Sequence, residues 1–261
     1  MTSEHAPTGG SRPHRMHGAM FMPIGDAGRA ELVEKRLADA ITGGHLRAGD
    51  RLPSEAELAR TMGVAPVTVR EALMALRSRG LVITRRGRNG GSFVSDEADP
   101  LAFARETLVR SSSLAIRDLG VHYAALTSAG ARLAARRAAP SEVAAIRARL
   151  SRIEPSGTSS GAPHESGAWR QAMDDLHLEL VALSQSARLT RDQMRLQAEL
   201  SPLLLLIDVD PAVRHRQWKQ LDRLLDAVEA GDEDAAGATV ESLVSEAINA
   251  IDGLRLSLHG S

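Results

Sequence analysis

The residues best suited to chemistry in this chain are arginines and short polar side chains gathered in one stretch. Pro66, Val67, Thr68 and Arg70 follow closely on Gly63, and arginines crowd the segment Arg85-Arg-Gly-Arg-Asn-Gly-Gly91. Guanidinium and hydroxyl groups held this way suit a nucleic acid, whose phosphates position a protein and whose base edges specify sequence. Other chemistry has less to stand on. The chain has no cysteine, which excludes disulfides, thiolate metal sites and cysteine nucleophiles. No Ser/His/Asp set and no pair of carboxylates is recognisable by its spacing as catalytic.

The elements that must position those arginines are legible around them. Ser54-Glu-Ala-Glu57 reads as a capping box, with the Ser54 hydroxyl accepting from the N–H of residue 57 and Glu57 reaching back to the N–H of Ser54. The helix it opens places Leu58, Ala59 and Met62 on one face, and Gly63 supplies the left-handed residue that ends it. Pro66 suits the first position of a new helix, which buries Val69, Leu73 and Leu76 and presents Val67, Thr68 and Arg70 at its start. Two short helices joined by a tight glycine turn make a helix-turn-helix. Gly80 stops the second helix. Leu81 to Thr84 and Ser92 to Val94 then read as two strands joined by a basic turn, with Asn89-Gly90 as the hairpin signal. The pair forms a wing beside the recognition helix.

This stretch resembles the winged-helix domain of GntR-family bacterial transcription regulators. The resemblance lies in Gly49-Asp-Arg-Leu-Pro-Ser-Glu55, Leu58-Ala59, Gly63-Val64, Val69-Arg-Glu-Ala-Leu73, Gly80-Leu-Val82 and Gly91-Ser-Phe-Val94. It implies that Ser54, Glu55, Pro66, Val67, Thr68, Arg70, Arg85, Arg86, Gly87, Arg88 and Gly90 face double-stranded DNA. For Arg70 the competing expectation is an ion pair with a neighbouring carboxylate; for the wing arginines it is a solvated basic turn. Pro66 and Val67 depart from the Arg-Thr pair frequent in the family, so the bases read here differ from those a bidentate arginine would select.

The rest of the chain frames that head. At 261 residues there is room for two cores. Residues 1–24 lack periodicity and are expected to be a disordered tail; residues 25–95 form the winged domain, 96–100 a linker, and 101–256 a second domain. The charge divides accordingly. Residues 26–95 hold twelve Lys and Arg against eight Asp and Glu, whereas residues 96–261 hold eighteen against twenty-four. A basic end on an acidic body fits a protein that meets phosphate at one end. No apolar run is long enough to span a membrane, and no Arg-led apolar segment with a cleavage site opens the chain. A cytoplasmic location is expected.

Before the helix-turn-helix, Ala27 to Ile41 reads as a helix with Leu32, Val33, Leu37 and Ile41 inward and Gly43-Gly44 at its end. Leu46 to Leu52 reads as holding a short strand that joins the wing sheet. Beyond Pro100 the periodicity is helical throughout: 101–109, 116–138, a helix capped by Ser141 and ending near Ile153, then 169–183, 189–207, 212–229 and 232–256, with a flexible loop over 155–163. Ala230-Gly231-Asp232 reads as a terminator followed by a cap. Leu203 to Ile207 is expected in the core or a dimer seam, and Trp218 in packing. The fold class is therefore mainly α: a winged helix-turn-helix with a small β-wing, then an all-α antiparallel bundle.

A head and bundle in this order look like the FadR subfamily, whose bundle is the FCD domain. The echoes are Arg132-Leu-Ala-Ala135, Leu176-His177 and Asp226-Ala-Val-Glu-Ala-Gly-Asp232. The resemblance implies an effector pocket around Tyr123, Thr127, Asp174, His177, Leu221 and Leu243. It also shows what has changed. Many such domains hold a divalent metal between an Asp and a His one turn apart and two further His. Here the positions correspond to Met173, His177, Leu221 and Leu243, with Asp174 and Asp175 out of step, so no metal or other cofactor is expected. His177 is left as a hydrogen-bonded core histidine or a direct ligand contact. An Arg and a Glu frequent on the long helix are Tyr123 and Thr127, which implies a less polar pocket, or one packed closed.

Taken together, the chain reads as a homodimeric, ligand-responsive regulator, a repressor at an inverted-repeat operator, with a small-molecule effector and no membrane partner. The alternatives are an architectural DNA-binding protein without effector response, and an enzyme tethered to DNA through its head.

Overall fold

The computed structural model describes residues 27–87, 90–155 and 163–259. Among them are ten helices and two strands. The tail expected over 1–24, most of the loop expected over 155–163, and Arg88 and Asn89 of the wing turn lie outside the described residues.

The head forms as its local signals dictate. Helix α1 (Ala27–Thr42) buries Val33, Leu37, Ala38 and Ile41 and ends before Gly43 and Gly44. Leu32, expected inward beside Val33, is instead 48% exposed, because one helical step of 100° carries it off the buried stripe. Helix α2 (Glu55–Met62) starts from the full capping box. The Glu57 carboxylate accepts the Ser54 N–H at 2.8 Å and its hydroxyl at 2.7 Å, and the Glu57 N–H donates to Ser54 Oγ at 3.3 Å. Gly63, at φ 66°, turns the chain into α3 (Pro66–Ser78), which Pro66 opens. A residue with a Cβ would be strained in that left-handed turn.

Strands β1 (Val82–Arg85) and β2 (Gly91–Val94) pair antiparallel, with Val82 opposite Val94 and Arg85 opposite Gly91. The third strand expected within 46–52 is reduced to a single bridge, Arg51 opposite Phe93. Residues 49–52 still follow β2: the Leu52 N–H donates to the Ser92 carbonyl and the Val94 N–H to the Asp50 carbonyl, both at 2.9 Å. Pro53, which has no N–H, and the Ser54 cap turn the chain into α2 before a longer ladder can form. Val33, Leu37, Leu58, Val69, Leu73, Leu76, Leu81 and Val94 share one core, closed by Phe103 from the next helix.

That helix, α4 (Pro100–Arg110), is capped by Asp99. The bundle continues with α5 (Ser113–Arg137), α6 (Pro140–Arg152), α7 (Pro163–Ala182), α8 (Ala187–Ile207), α9 (Pro211–Glu229) and α10 (Glu233–His259). Ser141 does not cap α6 as expected. Ala139 is the cap, Pro140 takes the first turn, and the Glu142 carboxylate accepts the Ala139 N–H at 2.8 Å. The start at 232 behaves as expected, with Gly231 at φ 70° and Asp232 accepting from the Ala235 N–H at 2.9 Å. A second core gathers Ile116, Tyr123, Leu150, Met173, Leu176, Leu180, Leu200, Leu221, Leu225, Val244 and Ile251. Leu203 to Ile207 are all buried, and Trp218 donates to the Leu150 carbonyl at 3.0 Å, a packing role. No described helix is long and apolar enough to cross a membrane.

Head and bundle meet along α1 and α4. Lys35 on α1 pairs with Asp39 at 2.9 Å and reaches Glu199 on α8 at 3.4 Å. Arg79 at the end of α3 pairs with Glu34 at 3.0 Å and Glu106 at 2.9 Å, and lies 4.0 Å over the Phe103 ring.

Candidate nucleic-acid interface and bundle cleft

The exposed face of α3 carries Val67, Arg70 and Met74, with Val67 55% and Met74 52% exposed. Their spacing of three and four puts them on one side of a helix, and Thr68 stands half-buried beside them. Pro66 lies exposed at the helix start. Arg70 is oriented by Glu55: Nε at 3.1 Å and a terminal nitrogen at 3.0 Å from one carboxylate oxygen. The ion pair expected for Arg70 is thus present, and it lies on the exposed side, where such pairs are weak and exchangeable.

The wing presents Arg85 and Arg86 to solvent, with Gly87 at the turn. Arg85 lies 4.7 Å over the Phe93 ring and 3.4 Å from Asp96. Gly90 is required by close approach, because a Cβ there would stand 2.5 Å from the Arg85 carbonyl oxygen. Two arginines that the sequence pattern did not single out complete the surface. Arg51 donates to the Gly90 carbonyl at 2.7 Å and Arg77 to the Thr84 hydroxyl at 3.3 Å. Together with Ser54, Glu55, Thr84 and Gly90 they line a groove between the start of α2, α3 and the wing. The spacing of seven after Arg70 is a signal that could have found Arg77. Arg51 lies within the matched stretch Gly49 to Glu55, but its place in the groove depends on how residues 49–52 lie along β2.

The bundle holds a cleft between α5, α7, α8, α9 and α10, with about 680 Å³ of empty space when the open solvent at its mouth is counted. Its wall is mostly apolar, and it includes Tyr123, Met173, His177 and Leu243. Of the other positions implied by the resemblance, Leu221 is fully buried in the core, Thr127 is buried and bonded to Gln193, and Asp174 is buried and bonded to Arg170. The Gln193 amide donates to the Tyr123 hydroxyl at 2.9 Å and its carbonyl accepts from Thr127 at 2.9 Å. Burial pushes the Tyr123 phenol far up.

Arg170, to which no sequence signal pointed, organises the polar side of this cleft. It is 3% exposed and donates through Nε to Asp174 at 3.0 Å and through a terminal nitrogen to Asp208 at 3.3 Å. Ser201 donates to the other Asp174 oxygen at 2.6 Å. Gln217 donates to Asp208 at 2.8 Å and accepts from the Trp169 indole at 3.0 Å. Burial works against the Arg170 charge, but Asp174 and Asp208 hold it firmly protonated. Burial pushes Asp208 up to about 6 against the pull of Arg170, so it remains a carboxylate at neutral pH.

The donors present do not fit a divalent cation. Leu221 and Leu243 offer none, both Asp174 oxygens are engaged, and His177 Nδ1 is held by the Met173 carbonyl at 2.7 Å. Among the described residues no three His, Cys, Asp or Glu come together as ligands. One imidazole nitrogen falls well short of the three or four protein ligands that a zinc site uses.

Comparison with known proteins supports the head-and-bundle architecture. Residues 29–94 match the gntR family of bacterial regulatory proteins, and residues 118–246 match the FCD domain. A Mycobacterium gastri protein named as the HTH-type transcriptional regulator RmpR is 35% identical over 188 residues, 72% of this chain and 66% of its own length. The match thus spans just under two thirds of that relative. A Mycobacterium tuberculosis HTH-type transcriptional regulator is 28% identical over 87% of this chain and 91% of its own. Among solved structures, E. coli McbR/YncC superposes with a TM-score of 0.51 at 18% identity, covering 87% of this chain and 98% of that one, which supports the fold.

Proposed function

The chain belongs to the gntR family of bacterial regulatory proteins, in the branch that carries an FCD domain, and we propose that it is a dimeric, ligand-responsive transcription regulator acting in the cytoplasm. The observation that carries this reading is the exposed stripe Val67, Arg70 and Met74 beside a groove lined by Arg51 and Arg77. In this reading α3 enters the major groove, Val67 and Thr68 meet base edges, and the wing arginines neutralise phosphates alongside. Each neutralised phosphate releases counterions, so affinity falls steeply with salt.

The division of labour assigns DNA to residues 25–95 and the effector and dimer contact to 101–256. Leu114 and Val121, seven apart on α5, are 77% and 70% exposed, and they offer an apolar seam for a second copy. Two heads then address the two halves of an inverted repeat. Repression follows when the operator overlaps a promoter, and a ligand that favours the other arrangement of the bundle releases it. The contact route supports such coupling. Leu200, Leu204 and Ile207 of α8 line the cleft, and Glu199 on the same helix meets Lys35 of the head. An enzyme tethered to DNA is disfavoured by the cleft, whose Arg170 and Gln217 are bonded into a network with Asp174 and Asp208.

A gel-shift titration with DNA flanking the gene tests the reading. Arg70→Ala should weaken binding at least about tenfold, roughly 1.4 kcal/mol, with the dimer intact. Equal affinity of variant and wild type would overturn it.

A further inference from the structure

Among the described residues, the cleft wall contains one buried polar atom without a partner. His177 is 5% exposed, and its Nε2 is buried without a partner. The other ring nitrogen fixes what that atom can do. Nδ1 lies 2.7 Å from the Met173 carbonyl oxygen, and a carbonyl only accepts, so Nδ1 carries the proton. Burial, then the neighbouring Arg170 charge, lowers the affinity of the ring for a second proton. Nε2 is therefore a lone pair. Because Nδ1 turns toward the backbone of α7, Nε2 faces away from it, on a side chain that lines the cleft. A buried acceptor left without a donor is costly.

From this geometry we propose that the cleft takes an uncharged, largely apolar ligand bearing a hydroxyl or N–H group, which donates its hydrogen to His177 Nε2. The inference rests on the reading of the cleft as the effector site and names the chemical class that site selects. A carboxylate is the wrong partner on two counts. It has no proton to give to Nε2, and the cation within the wall, Arg170, is already shared between Asp174 and Asp208. The mouth carries both signs, Arg216 and Glu246, and offers no net attraction to an anion. Of the other polar lining, Gln217 is engaged with Trp169 and Asp208 and Tyr123 with Gln193, while Gln220 stands half-buried on α9. Met173, Leu200, Leu204, Ile207 and Val244 supply the apolar surface, which favours transfer of a hydrocarbon body from water.

The test uses the full chain and three probes with one tail: 1-octanol, octanoate and octyl methyl ether. Thermal shift and calorimetry should give octanol at least about tenfold tighter binding than octanoate or the ether, since only octanol donates uncharged. His177→Phe keeps a ring but no acceptor and should lower octanol to the level of the ether. His177→Gln keeps an acceptor and should preserve part of the preference. Two-bond hydrogen–nitrogen correlation of the wild-type histidines, assigned through His177→Gln, reads the tautomer without any variant having to bind. It should show the proton on Nδ1, with the Nε2 resonance moving when octanol is added. Octanoate binding as tightly as octanol, an octanol preference that survives in His177→Phe, or a proton on Nε2 would each overturn the ligand class. A cleft that takes none of the three probes, with the tautomer as stated, overturns the reading of the cleft as the effector site and this inference with it.

Discussion

Head and bundle each contain arginines paired with carboxylates, and the two regions use the same pair in opposite ways. In the head, Arg70 and Glu55 are 60% and 37% exposed, and Arg85 and Asp96 are 50% and 65% exposed. In the bundle, Arg170 is 4% exposed between Asp174 at 2% and Asp208 at 0%. An exposed pair contributes about 0–1 kcal/mol, so its arginine can leave the carboxylate for a phosphate at little cost. A buried triad cannot open without stranding charge in a medium that does not solvate it. The comparison teaches that the pairing itself says little about function. Burial fixes Arg170 in the scaffold, whereas exposure leaves Arg70 and Arg85 able to exchange partners.

The largest effect should come from breaking the buried side. Arg170→Ala leaves two carboxylates uncompensated and should cost about 3–5 kcal/mol in urea unfolding, whereas Arg70→Ala should stay within about 0.5 kcal/mol of wild type. A cost for Arg170→Ala below about 1 kcal/mol would erase the contrast. On the exposed side, Arg51→Ala and Arg77→Ala should each weaken DNA binding by roughly three- to tenfold and reduce the salt slope by about one phosphate. Anisotropy titrations at several salt concentrations measure both. Unchanged affinity in both variants would confine the interface to the first turns of α3 and the arginines of β1 and its turn.

Asp39, on α1 between the regions, sharpens the comparison through pH. Burial raises its carboxyl to about 6, the Lys35 charge opposing. The folded chain thus holds a proton there that the unfolded chain releases near its ordinary value of 3.8. Stability from this group is present below about pH 4 and is lost as pH rises through about 6. Asp39→Asn should flatten that fall and raise stability at pH 7 by about 1 kcal/mol, the gain being trimmed by loss of the Lys35 pair. Chemical denaturation across pH 4–7 checks it, and an unchanged profile would mean that Asp39 is solvated. The smallest effect expected is none at all. Adding zinc, or removing metal with a chelator, should leave melting temperature and DNA affinity unchanged, because Leu221 and Leu243 supply no ligand. A metal-dependent melting shift would restore His177 as a ligand.

The contrast also explains what is legible in the amino-acid sequence. The signals of the head are local: Ser54 with Glu57, Gly63, Pro66 and Gly80 lie within thirty residues and act on their own turns, so each element is marked by the residues that bound it. The bundle helices are legible from periodicity, but the polar centre of the cleft is not. Trp169 and Arg170 are adjacent, but Asp208 lies 38 residues beyond Arg170 and Gln217 48 beyond Trp169, and only long-range packing brings the two pairs together. The spacing of Arg170 and Asp174 is visible in the sequence, yet the same spacing marks ordinary surface pairs such as Glu106 and Arg110. Leu32 and Ser141 depart from expectation for a different, local reason. One helical step carries Leu32 off the buried stripe, and Pro140 with Glu142 sets the cap at Ala139.

The central claim is that the exposed arginines of the head meet a two-fold symmetric DNA site. Footprinting over the DNA flanking the gene tests it most directly, with wild type beside Arg70→Ala. The account predicts one protected window centred on an inverted repeat at nanomolar wild-type protein, its two halves about one helical turn apart, with Arg70→Ala needing at least about tenfold more protein. Protection without symmetry, identical titration of the two proteins, or no protected window at micromolar protein would contradict it.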